Sequence, residues 1–180
     1  KDEADRLAAE KGWVVKADGP KWRRVVPSPL PKRIFEIRPI KWLLEHGTIV
    51  ICAGGGGIPT MYEKGAERKL VGVEAVIDKD LTSSVLATDV GAALLVILTA
   101  VPQVYVGHGT PGQRALGAVT LEEIERLQAE GHFPPGSMGP KIEAVIRFLK
   151  AGGRRALITN PESLPQAIEG RAGTHFVGGI

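Results

Sequence analysis

Residues 131–149 have the sequence GHFPPGSMGPKIEAVIRFL, in which a loop rich in glycine and proline runs directly into an apolar helical pattern. A helix N-terminus after such a loop carries unpaired backbone N–H groups and the positive end of the helix dipole, which together attract anions. Lys141 adds a mobile positive charge at this end. The stretch is not a Walker A loop, because Ile142 stands where that motif requires Ser or Thr. It therefore predicts either a phosphate-handling loop or an ordinary turn before a helix with a solvated lysine.

A second segment places charged residues at the end of an apolar strand pattern. Residues 76–81 are VIDKDL, and the chain from there to Gly91 has a helical pattern. Asp78 is suited to cap that helix, and Gly91 is suited to end it. Asp80 is favourable in the first helical turn, whereas Lys79 is unfavourable there unless an anion binds nearby. The segment predicts an anion site, or else a surface lysine paired with one of the two aspartates.

An apolar run followed by four glycines gives a third signal. Residues 48–53 are TIVICA, which predicts a buried parallel strand. Gly54, Gly55, Gly56 and Gly57 follow it, and they permit a ligand to approach the backbone because no Cβ atoms intervene. A flexible linker is the alternative, but linkers do not usually separate two apolar segments without Ser or charged residues. The run therefore favours a ligand-binding loop.

These segments together resemble the carbamate kinases, which form a branch of the amino-acid kinase family. The resemblance extends from about Glu3 to about Val177, and the order and spacing of the segments also match. The glycine run and the Asp-Lys-Asp motif are specific to carbamate kinases within the family, whereas the Gly-x-Met-x-x-Lys piece is shared more broadly. The segments that carry the resemblance are residues 22–29, 54–59, 72–80, 97–99 and 131–141.

The resemblance implies an α/β fold, a three-layer α/β/α sandwich with a mostly parallel sheet that this chain contains incompletely. It also implies reversible phosphoryl transfer between ATP and carbamate, giving ADP and carbamoyl phosphate. Since the nucleophile is an ionised carboxylate, no general base is needed, and positive charge must bring two anions together. By this similarity the catalytic residues are Lys79, Asp80 and Lys141.

Each of these residues has an expected role. Lys141 contacts the transferring phosphoryl oxygens, and Lys79 neutralises carbamate or the β- and γ-phosphates. Asp80 orients both ammonium groups through charge-assisted hydrogen bonds. The backbone N–H groups of residues 54–57 bind carbamate and the transition state. Mg²⁺ is expected to be held mainly by the nucleotide phosphates, and no protein metal ligands are predicted.

Nucleotide contacts are assigned by the same similarity. Val101, Val104 and Tyr105 are among the residues assigned to the nucleotide. The alternative for the two valines is packing within a strand, and for Tyr105 it is a half-buried ring at the surface. Ala100 stands where many members of the wider family have Asp, which leaves a carboxylate contact to the nucleotide open. The predicted nucleotide-binding residues are Lys79, Thr99, Val101, Val104, Tyr105, Met138, Gly139 and Lys141.

Carbamate kinases also have a Gly-Gly-Asn loop in their N-terminal half, and this chain has no such sequence. We therefore expect the chain to be the C-terminal portion of a longer enzyme. Two alternatives remain open, a nucleotide-binding piece without turnover and another amino-acid kinase that acts on a different carboxylate. Lys79 between two aspartates argues against the second alternative, because other branches of the family usually lack this lysine.

The composition is that of a globular protein, with 43% hydrophobic and 24% charged residues among 180. The net charge of +3 comes from a diffuse basic surplus in residues 1–47, which does not indicate nucleic-acid binding. The longest apolar run, residues 92–98, is too short to span a membrane. The single cysteine, Cys52, excludes an internal disulfide. Together with the resemblance, these features predict a cytoplasmic homodimer that acts on small molecules in arginine metabolism.

The pattern predicts two parts, a lid or protruding subdomain in residues 1–33 and a nucleotide-binding part in residues 34–180. A helix and two short strands around a Gly-Pro turn form the first part. In the second part helices alternate with strands, which indicates a mostly parallel sheet with ligands beyond the C-terminal strand ends. The elements predicted there are a helix around Trp42, a strand at 48–53, a hairpin at 61–76, helices at 79–90 and 141–150, a helix from the Thr120 capping box to Gly131, and strands at 93–99, 155–159 and 174–177.

Overall fold

The computed structural model describes residues 1–65 and 69–178. The chain forms two compact units, one made of Lys1–Leu30 and Ile58–Ile77, the other of Pro31–Gly57 with the chain from Asp78 onward. The predicted nucleotide-binding part, residues 34–180, includes the segment 58–77, whereas in the structure this segment groups with Lys1–Leu30. In chain order the elements are α1 (Asp2–Lys11), β1 (Val14–Asp18), β2 (Lys21–Val25), α2 (Ile37–Glu45), β3 (Thr60–Tyr62), β4 (Leu70–Gly72), α3 (Lys79–Val90), β5 (Leu94–Leu98), β6 (Val104–Val106), β7 (Arg114–Leu116), β8 (Ala118–Thr120), α4 (Leu121–Ala129), α5 (Met138–Lys150), β9 (Arg155–Thr159), α6 (Leu164–Ile168) and β10 (Thr174–Val177).

The first unit is built from short antiparallel pairs. Strand β1 pairs with β2, and β3 pairs with β4. Helix α1 ends at Gly12, whose positive φ of 65° suits glycine. Two cations lie against the Trp13 ring, with the Lys11 ammonium 4.7 Å and the Arg24 guanidinium 4.4 Å from the ring centroid. The predicted hairpin at 61–76 is confirmed by β3 and β4, and the part of that prediction at residues 66–68 lies outside the described residues.

The second unit contains a four-stranded sheet in the order β5-β9-β10-β8. Strands β5 and β9 are parallel, as are β10 and β8, while β9 and β10 run antiparallel. The α/β class is confirmed, and the predicted mostly parallel sheet is a mixed one because β10 reverses direction beside β9. Strands β6 and β7 form a separate antiparallel pair in this unit.

The core of the second unit lies where α3, α4 and α5 pack against these strands and against one another. Helix α5 contributes most, and its Ile142 and Val145 side chains are fully buried. They meet fully buried side chains of the sheet, among them Ile158 and Phe176. Each such burial stabilises the fold by roughly 1.5–3 kcal/mol. This packing brings the N-terminal ends of α3 and α5 close together.

One predicted element is wrong. Residues 48–53 form no strand, and the side chains of Ile49 and Ile51 are 92% and 97% exposed. No backbone hydrogen bond joins residues 49–51 to any other segment that the structure describes. A strand requires a neighbouring ladder as well as β-branched side chains, and nothing in the described chain pairs with this one.

Helix α5 begins at Met138, three residues before the predicted start at 141. Pro140 is compatible with this, because a proline in the first helical turn removes an N–H group that has no intrahelical partner.

Within the described residues, no helix combines the length and apolar character needed to cross a membrane.

Candidate active site

Asp78 sets the geometry at the beginning of α3. Its carboxylate accepts hydrogen bonds from the backbone N–H groups of Asp80 at 2.8 Å and Leu81 at 3.0 Å, as predicted for an N-cap. Both N–H groups donate to Oδ1, and the ion pair of Lys79 is with Asp80 rather than with this carboxylate. The cap therefore fixes the first turn from which Lys79 and Asp80 project.

A buried ion pair connects α3 to α5. The Lys141 ammonium donates a hydrogen bond of 2.8 Å to Oδ2 of Asp80, although the two residues are 61 positions apart. Both side chains are largely shielded, with 12% of Lys141 and 9% of Asp80 exposed. A pair in such surroundings is only weakly screened by salt. The structure thus brings together two of the three predicted catalytic residues.

Lys79 approaches the same carboxylate from the solvent side. Its Nζ lies 4.0 Å from Oδ2 of Asp80, and 62% of its side chain is exposed. Two ammonium groups therefore face the Asp80 carboxylate, beside the positive dipole ends of α3 and α5. Such a site attracts a phosphate or carboxylate group.

The glycine run, residues 54–57, folds tightly against the first turn of α3. Backbone φ is positive at Gly54, Gly56 and Gly57, with values of 49°, 131° and 91°. These angles explain three of the four glycines, because L side chains rarely adopt them. The Thr82 hydroxyl lies 3.1 Å from the Gly56 carbonyl oxygen and joins this loop to the helix.

The loop before α5 contributes fewer free backbone donors than predicted. The Gly139 N–H donates to the Pro134 carbonyl at 2.8 Å, and Pro140 has no N–H to offer. A Cβ atom at Gly139 would lie only 2.8 Å from that carbonyl oxygen, so the turn requires glycine. The positive charge at this helix end therefore comes mainly from Lys141 and the helix dipole.

His132, in the same loop, lies near the end of the preceding helix. Its Nε2 is 3.2 Å from a carboxylate oxygen of Glu130, and its ring stands edge-on to Phe133 with centroids 6.5 Å apart. These contacts agree with a role in holding the loop.

The predicted nucleotide residues occupy varied positions. The N–H of Thr99 donates to the Thr159 carbonyl at 2.8 Å, directly beyond β5. Val101 and Tyr105 are half-buried, and Met138 packs against the core while remaining partly exposed. The side chain of Val104 is fully buried, so it can support a nucleotide site only by packing behind the residues that contact the nucleotide. The assignment of these residues to nucleotide binding stays a prediction.

Thr82 was not singled out in the sequence. Helical spacing gave no signal for it, because residues two apart in a helix lie on nearly opposite sides, and the partner of its hydroxyl is on a distant segment. Across residues 1–65 and 69–178, the structure shows no group of three or more His, Cys, Asp or Glu side chains that could hold a metal ion.

Comparison with known proteins gives the family. Residues 3–160 match the sequence model described as "Amino acid kinase family". The carbamate kinase of Rhizobium meliloti is 54% identical over 96% of this chain and 52% of its own length, and that of Haemophilus influenzae is 53% identical over 98% and 55%.

A solved structure agrees with these sequence matches. The carbamate kinase from Giardia lamblia bound to AMP-PNP superposes with a TM-score of 0.89 at 40% identity, covering 99% of this chain and 56% of that one. The chain thus spans about half the length of the curated relatives it matches. Since the family model covers most of the chain and the mixed α/β sheet agrees with it, the chain belongs to the amino acid kinase family.

Proposed function

We propose that this chain carries the phosphoryl-transfer site of a carbamate kinase, which interconverts ATP plus carbamate and ADP plus carbamoyl phosphate. One observation carries the proposal, the meeting of Lys141, Asp80 and Lys79 beside the glycine run. The names of the similar proteins supply the substrate. Because this chain spans about half the length of those proteins, the catalytic activity of the complete enzyme is also proposed.

The chemistry follows from the charges. A carbamate oxygen forms a bond to the γ-phosphorus as the bond between that phosphorus and the β–γ bridging oxygen breaks. The carbamate is already ionised, so no group has to remove a proton. The obstacle is repulsion between two anions, and fixed positive charge lowers it without reorganisation.

The two lysines divide this task. Lys141, held by Asp80, presents a fixed charge to the transferring phosphoryl oxygens. Lys79 is exposed and free to move, so it neutralises the carbamate or the β- and γ-phosphates as they arrive. Mg²⁺ supplies further charge neutralisation when it is bound by the nucleotide phosphates. The proposed adenosine site is formed by Thr99, Val101, Val104, Tyr105 and Met138.

A second candidate function is nucleotide binding without turnover by this chain. It is favoured because this chain matches only about half the length of the similar carbamate kinases. For the working enzyme we propose a cytoplasmic homodimer in arginine metabolism.

An assay of ATP formation tests the proposal. The purified chain is mixed with Mg-ADP and carbamoyl phosphate, and ATP is measured by luciferase. We expect ATP from the wild-type chain and at least about a hundredfold less from Lys79→Ala or Lys141→Ala. In the other direction, ATP consumption with carbamate but not with N-acetylglutamate separates carbamate kinase from other acceptors. Binding of Mg-ADP, measured by calorimetry, without ATP formation would favour the second function. A chain that neither binds Mg-ADP nor forms ATP would contradict both candidate functions.

A further inference from the structure

A buried threonine hydroxyl bridges the glycine run and α3. Thr82 is 4% exposed, and its Oγ1 lies 3.0 Å from the Asp78 carbonyl and 3.1 Å from the Gly56 carbonyl. A threonine inside a helix ordinarily donates only to the carbonyl four residues earlier. Here its single proton is shared between that carbonyl and one on another segment, 26 positions away. Gly56 is itself buried, so this hydroxyl satisfies an oxygen that water does not reach freely.

This contact also orients the next backbone amide. In a trans peptide unit the C=O and N–H bonds point in opposite directions. Since the Gly56 carbonyl points at Thr82, the N–H of Gly57 in the same peptide unit points away from the Thr82 hydroxyl. Gly57 is exposed, and its φ of 91° is one that glycine tolerates.

The four amides of the glycine run are not equivalent. The N–H of Gly54 donates to the Cys52 carbonyl at 2.8 Å, and that of Gly56 donates to the Ala53 carbonyl at 2.9 Å. Both donors are therefore used by the loop itself. The N–H groups of Gly55 and Gly57 donate to no other residue in the part of the chain that the structure describes.

We propose that Thr82 is a positioning residue that presents the Gly57 N–H as a hydrogen-bond donor to the anionic oxygens of carbamate or carbamoyl phosphate. This inference rests on the proposed function and deepens it, because it selects one amide of the run and names the side chain that aims it. Thr82 lies on the same helical turn as Lys79 and Asp80. One helix thus sets both the charge and the backbone donor of the substrate site.

The variants are Thr82→Val, which keeps the shape and removes the hydroxyl, and Thr82→Ser, which keeps the hydroxyl. Ser84→Ala is the matched control, because Ser84 is also buried and its hydroxyl donates at 2.9 Å to Leu81, within the same helix. The chains are labelled with ¹⁵N-glycine and titrated with carbamoyl phosphate, and Mg-ADP affinity is measured separately. Thermal midpoints of all variants are recorded.

In the wild-type chain we expect the Gly57 amide resonance to move on titration, while the Gly54 and Gly56 amides respond less. Thr82→Val should weaken carbamoyl phosphate binding about tenfold, the loss of one aligned hydrogen bond, and leave Mg-ADP affinity unchanged. Thr82→Ser should restore the affinity. Ser84→Ala should stay within about twofold of wild type, which separates positioning from a general loss of stability in α3.

The inference is overturned if Thr82→Val binds carbamoyl phosphate normally, if Ser84→Ala loses as much affinity, or if Gly57 does not respond when the wild-type chain binds. Absence of carbamoyl phosphate binding by the wild-type chain would contradict the proposed function. The positioning role is then judged in the ligand-free chain from the Gly57 ¹⁵N resonance, which reports the hydrogen bond on the preceding carbonyl. That resonance should move in Thr82→Val and not in Thr82→Ser, and an unmoved resonance refutes the role.

Discussion

The N-terminal turns of α3 and α5 each carry a lysine directed at one carboxylate, yet the two lysines differ sharply in environment. Lys141 of α5 is 12% exposed and makes a 2.8 Å hydrogen bond to Asp80, whereas Lys79 of α3 is 62% exposed and lies 4.0 Å away. The first is part of the packed interior of the second unit. The second is a surface charge that a ligand can reorient.

This difference shows how one anion site can combine fixed and mobile charge. A buried ammonium group is in place before the ligand arrives, so no reorganisation is needed in the transition state. An exposed ammonium group follows a substrate as it enters and leaves. We expect both stability and activity to depend on Lys141, and activity alone to depend on Lys79.

The largest effect is expected for Lys141→Met. It leaves the Asp80 carboxylate buried without its partner, and removing one member of a buried pair costs about 3–5 kcal/mol. ATP formation should fall at least about a hundredfold, as when a preorganised charge is removed from a transition state. Urea unfolding and the luciferase assay measure the two effects.

The double variant Lys141→Met, Asp80→Asn is the control for this prediction. It removes both charges, so it should recover much of the lost stability while remaining inactive. A double variant that is no more stable than Lys141→Met would show that the ion pair is not the source of the loss.

Lys79→Met is expected to separate activity from stability. An exposed ion pair contributes about 0–1 kcal/mol, so the free energy of unfolding should barely change. ATP formation should nevertheless fall about a hundredfold, because the mobile charge is lost. The same two assays apply, and a stability loss equal to that of Lys141→Met would erase the contrast between the two helix ends.

At the beginning of α5, Gly139→Ala is expected to destabilise the chain by about 1–3 kcal/mol through overpacking. The new Cβ would lie 2.8 Å from the Pro134 carbonyl oxygen, which is itself bonded to the Gly139 N–H. Gly136→Ala in the same loop is the matched control, since a Cβ there meets nothing within 4 Å. Equal thermal midpoints for the two variants would contradict the close contact.

The smallest effect is expected at the beginning of α3 for Asp78→Ala. Loss of this cap should cost about 1 kcal/mol, because two backbone N–H groups lose their acceptor. Asp78→Asn or Asp78→Ser, which retain an acceptor, should recover most of the loss in thermal unfolding. A full loss in both replacements would show that the charge, not the cap, matters.

Local signals explain what was predictable. Asp78 caps the N-terminus of α3, and Gly91 ends the helix in a left-handed conformation. Both caps depend only on residues that are near them in sequence. The resemblance also assigned Asp80 to orient the two ammonium groups, and the structure places it within 4.0 Å of both. These features follow from short motifs or from a family pattern.

The remaining features depend on segments that are distant in sequence. The run at 48–53 has strand-like residues, but it makes no ladder with any described segment. The hydroxyl contact between Thr82 and Gly56 requires the tertiary fold to bring a loop onto a helix. Likewise, the reversal of β10 beside β9 is a matter of topology, and hydrophobic pattern alone does not specify strand direction.

The role of Lys79 in phosphoryl transfer is tested by comparing the wild-type chain with Lys79→Met. The rate of ATP formation from Mg-ADP and carbamoyl phosphate and the unfolding midpoint are measured on the same samples. We expect ATP from the wild-type chain and about a hundredfold less from the variant, at equal unfolding midpoints. Wild-type rates in Lys79→Met, or a wild-type chain that binds Mg-ADP and forms no ATP, would contradict it.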